Sequence, residues 1–166
     1  VYQEKEISLQ ELADALNANW EGFESLHRKI LKFKERYGNG IPRVDRFARM
    51  LSRTVGNYVN NRPNARGGEW KASLHCAKQF IHEGAKTGAT PDGRFAGEEM
   101  SKNASPAMGA DINGVTALIK SALAVDAASF PGDFPLDVMM LPGTVKGSEG
   151  LAAWRRLIRV FFAGNG

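Results

Sequence analysis

The sequence predicts an α/β protein, because helix-like and strand-like stretches follow one another along a chain of 166 residues. Apolar residues recur at steps of three and four through residues 1–60, which is typical of amphipathic helices. Two later runs, residues 70–83 and residues 136–141, are short and bounded by turn residues, as expected of strands. A chain of this length supports one core, so we expect a single segment of one domain over residues 1–166.

The first 60 residues are expected to be helical. Ser8 and Glu11 have the capping-box spacing, in which each side chain satisfies a free backbone N–H at a helix start. The apolar stripe that follows predicts one helix or a broken pair of helices, and it comprises Leu9, Leu12, Leu16, Trp20, Phe23, Leu26 and Ile30. A second helix is indicated by Val44, Phe47, Leu51, Val55 and Val59, with Arg43, Arg46, Arg49 and Arg53 on its opposite face.

Residues 61–166 are expected to run strand, glycine-rich loop, helix, strand, helix. Residues 70–83 form the first predicted strand, and the loop over residues 84–114 is long enough to suggest a functional use. A helix-like stripe over residues 115–125 follows, although its start could equally be a strand. Residues 136–141, LDVMML, have the composition of a buried strand. The last helix begins near Ser148, and Gly164 occupies the position expected of a C-terminal glycine cap.

Composition restricts the class of protein. A formal net charge of +4 is mild, and the locally basic residues 28–36 and 43–53 favour a solvated helix face over a nucleic-acid surface. No apolar run is long enough to cross a membrane, and no signal peptide is visible. One cysteine, Cys76, excludes an internal disulfide and suits the cytoplasm. The start at Val1 rather than at methionine suggests a cut chain.

Few residues indicate chemistry by themselves. His75, Cys76 and His82 are the only cluster of metal-ligand types, and their spacing predicts no metal site. We expect Cys76 to be a small buried residue within a strand rather than a nucleophile. Neither a P-loop nor a dinucleotide-binding glycine motif is present. Residues 87–94, TGATPDGR, fit a surface turn, and they equally fit a loop held against a reaction site.

The glycine-rich region resembles the signature region of the glycyl-radical enzymes, the superfamily of pyruvate formate-lyase and the radical diol dehydratases. The resemblance is carried by TGATPDGRFAGEEMSKNASPAMGADINGVTALIKSALAVD, in which the fitting positions are Pro91, Asp92, Gly93, Arg94, Gly97, Ser105, Pro106, Gly109, Asp111, Gly114, Thr116, Ala117 and Ser121. NANWEGFESLHRKIL, Tyr37–Gly40, Arg66–Gly68 and KGSEGLAAWRRLIRVFFAGNG are also similar to the family. The chain departs from the family at Gly40, at Val115 and at Leu136-Asp137, where Asp, Pro and an Asn-containing strand are usual.

The resemblance implies a fragment of the family's ten-stranded barrel, with outer helices, from the C-terminal half-barrel. In the family a backbone glycyl radical takes hydrogen from a cysteine, and the thiyl radical then takes hydrogen from the substrate. A carboxylate base assists loss of the leaving group. The glycyl radical is installed by a separate iron–sulfur, S-adenosylmethionine-dependent activating enzyme. The radical loop and the Cys-x-Glu loop are not found in this sequence, so we expect no bound cofactor, no metal and no turnover by this chain alone.

The resemblance also implies roles for individual residues. We expect no catalytic residue in this segment. The substrate end of the barrel is expected to be lined by Asn103, Ala104, Ser105, Pro106, Met108 and Gly109, with neutral or hydroxyl-binding character. The loops are expected to be shaped by Gly88, Pro91, Asp92, Gly93, Arg94, Asp111, Gly114 and Thr116, with Asp92 and Arg94 as a structural pair.

The implied function is a dehydratase or lyase that removes a leaving group from a small diol-like or amino-alcohol-like substrate. Two alternatives stay open: a pyruvate formate-lyase-type acyltransferase that cleaves a C–C bond, and a non-catalytic fragment that acts as a binding or scaffold module. Expected partners are the remainder of the enzyme chain, the activating enzyme, a small-molecule substrate and a second copy in a homodimer. Neither a membrane nor nucleic acid is an expected partner.

Overall fold

The computed structural model describes residues 6–164, which contain six α-helices and two short 3-10 helices. The α-helices are α1 (Leu9–Asn17), α2 (Glu24–Leu31), α3 (Pro42–Val59), α4 (Gln79–Gly84), α5 (Val115–Ala124) and α6 (Gly147–Gly164). The 3-10 helices are Ala127–Ser129 and Pro142–Val145. The chain divides into two compact units, Val1–Lys34 with Ala77–Met100 and Glu35–Cys76 with Ser101–Gly166.

The first unit contains α1, α2 and α4. The predicted capping box is confirmed at the start of α1, where Oγ of Ser8 accepts the N–H of Glu11 at 3.0 Å. The apolar stripe of residues 9–30 falls on two helices, because Asn19 and Trp20 adopt left-handed backbone conformations between them, with φ of 50° and 68°. The Trp20 side chain is buried within this unit.

The second unit contains α3, α5, α6 and both 3-10 helices. Helix α5 packs against α3 and α6, and it buries Leu118, Ile119 and Ala122. A second apolar cluster comprises Ala72, Val125 and Phe130, packed against Tyr37, Ala48, Val59, Leu74 and Phe134. The helix alternative for residues 115–125 is confirmed, and α6 lies where the last helix was expected. Gly164 is the last helical residue of α6, and residues 165–166 lie outside the described residues.

The prediction of two strands is wrong for the described part of the chain. Residues 79–84 form helix α4, and residues 70–78 contain only one isolated parallel bridge, between Ser73 and Asp133. Residues 136–141 contain neither helix nor strand. A strand needs a neighbour to accept and donate its backbone hydrogen bonds, and within residues 6–164 such pairing is confined to short contacts such as Leu74 N–H to Asp133 O. The observed segment is therefore rich in helix rather than α/β.

The basic face of α3 is largely engaged within the second unit. Arg49 donates to the carbonyl of Ala124 at 2.9 Å, and Arg53 donates to Asp126 Oδ2 at 2.9 Å. The hydrogen bond from Arg53 holds the pKa of Asp126 below its usual value. Arg43 contacts the carboxylate of Glu35. None of the helices within residues 6–164 is both long enough and apolar enough to cross a membrane.

Candidate functional site

The residues predicted to matter fall in both units. The loop residues Gly88, Pro91, Asp92, Gly93 and Arg94 belong to the first unit. The six residues expected to line the substrate end belong to the second unit, together with Asp111, Gly114 and Thr116. Each group has its own network of hydrogen bonds.

Asn103 is the centre of the network in the second unit. Its backbone lies in the left-handed region, with φ of 53°, a conformation that Asn tolerates better than most residues. Oδ1 of Asn103 accepts the backbone N–H of Cys76 at 3.0 Å, and Nδ2 donates to Oδ2 of Asp137 at 2.7 Å. The N–H of Asn103 is directed at Sγ of Cys76 at 3.2 Å. The carboxamide therefore joins its own segment to those of Cys76 and Asp137.

Asp137 is held by its main chain as well as by its carboxylate. Its N–H donates to Oγ of Ser105 at 3.0 Å, and the Ser105 hydroxyl donates back to the carbonyl of Asp137 at 3.3 Å. Nζ of Lys102 lies 3.1 Å from Oδ1 of Asp137. The structure thus brings a carboxylate, an ammonium, a carboxamide and a hydroxyl together. Asp137 and Lys102 were not among the predicted site residues, and Asp137 stood out only as a departure from the family pattern.

Ala104 and Pro106 are anchored to the segment that begins at Tyr37. Ala104 is buried, and its carbonyl accepts a 2.9 Å hydrogen bond from the Tyr37 hydroxyl. Burial raises the pKa of Tyr37, and the nearby charge of Asp45 adds to the shift, so the phenol stays protonated as a donor. Gly38 has φ of 96°, and a Cβ at this position would lie 2.7 Å from Cγ of Pro106. The close approach of Pro106 therefore depends on glycine at position 38.

The end of the predicted pocket segment is open. Met108 is 77% exposed, and a Cβ added to Gly109 would meet no atom within 4 Å. Beyond it, Oδ1 of Asn39 accepts the N–H of Asn113 at 3.1 Å, and Nδ2 of Asn39 donates to the carbonyl of Ala110 at 2.7 Å. The structure therefore fixes residues 103–106 and 110–113 and leaves residues 108–109 exposed.

Sequence reasoning missed the role of Asn39, which is buried although polar. The sequence marks Asn39 only as part of the Tyr37–Gly40 turn that resembles the family, and it does not show that this side chain forms hydrogen bonds with distant residues. Among the loop-shaping residues of this unit, Gly114 has φ of 79° and directly precedes α5, and Thr116 is exposed in the first turn of that helix. The Cβ of Asp111 lies near Gly38.

In the first unit, residues 90–93 form a tight turn. The N–H of Gly93 donates to the carbonyl of Thr90 at 3.0 Å, with Pro91 at the second position, as this turn chemistry favours. The Thr90 hydroxyl donates to Asp92 and accepts from Nε of Arg94 at 3.2 Å, so it links the two charged side chains. The Arg94 guanidinium also donates to the carbonyls of Thr87, Gly88 and Glu98.

Two aromatic residues hold this turn from the α1–α2 segment. The indole N–H of Trp20 donates to the carbonyl of Arg94 at 3.2 Å, and Nε2 of His27 lies 2.7 Å from the carbonyl of Gly93. The ring of His27 lies between those of Trp20 and Phe95, tilted against both, with centroid distances of 5.0 and 4.6 Å. The apolar stripe identified Trp20 only as a core residue, although a buried indole N–H also requires an acceptor.

Cys76 is half-buried, and its thiol is hydrogen-bonded to Oδ1 of Asn103. The prediction that it lies within a strand is wrong. His75 is engaged with Asp133, 2.9 Å from Nδ1 to Oδ2. Among residues 6–164, no three His, Cys, Asp or Glu side chains are placed to hold a metal ion.

The second unit also has an open apolar groove of about 280 Å³. None of the predicted pocket residues lines the groove. The residues that do so are Tyr37, Ala48, Leu51, Ser52, Val55, Ser73, Leu74, Val125 and Phe130. The groove and the polar cluster around Asn103 are therefore lined by different residues.

Known proteins are similar to this chain over its whole length. A family model described as pyruvate formate lyase-like matches residues 1–79. Trans-4-hydroxy-L-proline dehydratase of Clostridioides difficile is 31% identical over 166 residues, which are 100% of this chain and 21% of that protein. The chain spans about one fifth of the length of the curated relatives it matches.

Solved structures agree with the sequence matches. A structure from Roseburia inulinivorans, described for 1,2-propanediol dehydration, superposes with a TM-score of 0.94 at 33% identity, over 100% of this chain and 22% of that one. A glycyl radical enzyme from Archaeoglobus fulgidus superposes with a TM-score of 0.88 at 30% identity, over 96% of this chain and 20% of that one. The chain therefore belongs to the pyruvate formate lyase-like glycyl-radical enzyme superfamily, of whose members it represents one segment.

Proposed function

We propose that this chain is part of a glycyl-radical dehydratase or lyase that eliminates water or another leaving group from a small diol-like or amino-alcohol-like substrate. The observation that carries the proposal is the full-length superposition, at a TM-score of 0.94, on a structure described for 1,2-propanediol dehydration. The curated relative from Clostridioides difficile, also matched over the whole chain, is named as a dehydratase of a hydroxylated amino acid. The fixed polar groups at Asn103, Ser105 and Asp137 suit such substrates.

The chain's role is to supply one segment of a pyruvate formate lyase-like barrel domain over residues 1–166. In this proposal residues 103–106, Met108 and Gly109 line the substrate end, and the anchoring of residues 103–106 by Tyr37, Gly38 and Asp137 sets the shape of that wall. The Thr90–Arg94 turn and Gly114 each shape the loop of the unit to which they belong. A wall fixed by many internal hydrogen bonds is suited to orienting a substrate and excluding water from a reactive intermediate.

The residues that carry the radical are expected elsewhere in the protein. Cys76 is followed by Ala77 and Lys78 rather than by the x-Glu of the family's cysteine loop, and no RVxGY-like sequence occurs in the chain. The glycyl radical, when installed, supplies the hydrogen abstraction. The residues of this chain bind and orient the substrate during the elimination. For 1,2-propanediol the overall reaction is loss of one water to give propanal.

The proposal includes the partners that such chemistry needs. A separate iron–sulfur, S-adenosylmethionine-dependent enzyme installs the radical, and the remainder of the enzyme chain completes the barrel. We place the protein in the cytoplasm, where the Cys76 thiol of this chain stays reduced, and we expect a homodimer.

The test uses the full-length protein that contains this chain, activated anaerobically. Electron paramagnetic resonance should show a glycyl doublet, and incubation with 1,2-propanediol, glycerol or an amino alcohol should release the corresponding aldehyde. A doublet without aldehyde, together with acetyl-coenzyme A formation from pyruvate, would instead establish the acyltransferase alternative. Absence of any radical after activation, with a relative activated in parallel as control, would favour a binding or scaffold module.

A further inference from the structure

The carboxylate of Asp137 is fixed in place before any ligand arrives. Ser105 holds the main chain of Asp137 on both sides of the residue, through the N–H at 3.0 Å and the carbonyl at 3.3 Å. Lys102 and Asn103 each hold one carboxylate oxygen, at 3.1 and 2.7 Å. A polar group clamped by its neighbours in this way loses little freedom when it binds a ligand, which is the usual design of a recognition group.

Asp137 begins a row of exposed side chains on the LDVMML segment. In this non-helical segment half-buried residues alternate with exposed ones, as in an extended chain whose side chains point to opposite sides. The half-buried side carries Leu136, Val138 and Met140, and the exposed side carries Asp137, Met139 and Leu141. Met139 is 89% exposed, and the side chain of Asp137 is 45% exposed. Small-molecule sites combine apolar side chains with a few fixed polar groups, and this exposed side of the segment offers both kinds of group.

The remaining bonding capacity of Asp137 determines what it can recognise. A carboxylate offers about four acceptor positions and no donor, and Lys102 and Asn103 occupy two of them. A ligand group that meets the free positions must therefore donate, as a hydroxyl or an ammonium group does. A sulfonate or carboxylate group would meet like charge and no donor on Asp137.

We propose that Asp137 is a specificity-determining residue. Its carboxylate accepts a hydrogen bond from a hydroxyl or ammonium group of the substrate, and it disfavours substrates that carry an anionic group at the same place. The inference rests on the proposed function, because it takes residues 103–109 and their partner Asp137 as the substrate wall. It goes further by disfavouring an anionic substrate group at this position and by assigning that choice to a single side chain.

Equilibrium binding to the unactivated full-length protein tests the proposal, with 1,2-propanediol as the neutral probe and 2-hydroxyethanesulfonate as the anionic probe. In Asp137→Asn the side chain keeps its shape but loses its charge. A hydrogen bond to a charged group contributes roughly 1.5–3 kcal/mol, so Kd for the diol should rise about 10-fold or more. The preference for the diol over the sulfonate should fall correspondingly.

The matched control is Asp133→Asn, which removes another partly exposed carboxylate of the same unit that is paired with His75. It should leave both Kd values unchanged. Asp137→Glu provides a second variant in case Asp137→Asn unfolds: it keeps the carboxylate charge but displaces it by one methylene, so diol binding should weaken while the preference for the diol over the sulfonate persists. Unchanged diol binding in folded Asp137→Asn overturns the proposal, and so does a wild-type protein that prefers the sulfonate or binds neither probe. Because no radical is needed for binding, failure of the proposed function is seen separately, in the activation experiment.

Discussion

Oδ1 of Asp45 accepts a 2.7 Å hydrogen bond from the hydroxyl of Ser121, and both residues are buried where α3 packs on α5. The same hydroxyl accepts the N–H of Gly40 at 2.9 Å, so one small side chain joins α5 to α3 and to the turn before it. Burial raises the pKa of Asp45, and the hydrogen bond from Ser121 opposes part of that effect. The stability that this pair gives to the packing of α3 on α5 therefore depends on pH.

The first prediction concerns Asp45→Asn. The folded state holds the proton of Asp45 more tightly than the unfolded state, so the wild type loses stability as pH rises from the ordinary value of 3.8 through the raised pKa. Asn carries no charge, so the free energy of unfolding of the variant should improve relative to wild type over that window. Urea unfolding of the full-length protein at a series of pH values measures this difference. Asp14→Asn, at an exposed position of α1, is the control. If the difference in unfolding free energy between Asp45→Asn and wild type does not change with pH, the raised pKa of Asp45 is contradicted.

The second prediction concerns Ser121→Ala. Removing the hydroxyl leaves the partly buried Gly40 N–H without its acceptor and the buried Asp45 carboxylate without its donor. The expected loss is about 1–3 kcal/mol of unfolding free energy. Ser101→Ala at an exposed position should change stability by less than about 0.5 kcal/mol. Equal stability of the two variants would show that the hydroxyl contributes nothing to the α3–α5 packing.

The third prediction concerns Gly38→Ala. The φ of 96° disfavours any side chain, and the added Cβ would lie 2.7 Å from Cγ of Pro106. We expect a loss of roughly 1–3 kcal/mol, with faster hydrogen exchange over residues 103–106 because their anchor moves. Gly143→Ala is the matched control, since a Cβ there meets no atom within 4 Å. Unchanged hydrogen exchange over residues 103–106 in Gly38→Ala would show that the Tyr37–Gly40 turn does not anchor Pro106.

The fourth prediction concerns Trp20→Phe. Phenylalanine keeps an aromatic ring against His27 but lacks the indole N–H that reaches the Arg94 carbonyl. The loss should be about 1–3 kcal/mol, and hydrogen exchange over residues 90–98 should increase. Trp70→Phe, at a site that is 58% exposed, should be nearly neutral. A Trp20→Phe protein with wild-type exchange would mean that the hydrogen bond does not hold the turn.

Local signals in the sequence predicted part of this structure well. The capping box at Ser8 and the turn chemistry of Pro91-Asp92-Gly93 act over a few residues, and both are present as expected. The apolar stripes likewise placed α3, α5 and α6. The strands over residues 70–83 and 136–141 were wrong because pairing depends on distant partners, which local composition does not reveal.

The candidate site shows the same division between local and distant information. The motif resemblance pointed to Asn103 and Ser105, but nothing in their own segment indicated that both would bond Asp137, more than 30 residues later. Asn39, His27 and Ser121 also act through partners more than 60 residues away. The spacing of residues along the chain shows which of them match the family's motif. Only the folded backbone identifies which side chains meet.

The most direct measurement is a crystal structure of the full-length protein with 1,2-propanediol bound. We predict that a diol hydroxyl donates to Asp137, at an oxygen–oxygen distance of about 2.5–3.0 Å, with residues 103–109 forming the adjacent wall. A well-ordered diol that contacts neither Asp137 nor residues 103–109, directly or through one water, would contradict the account.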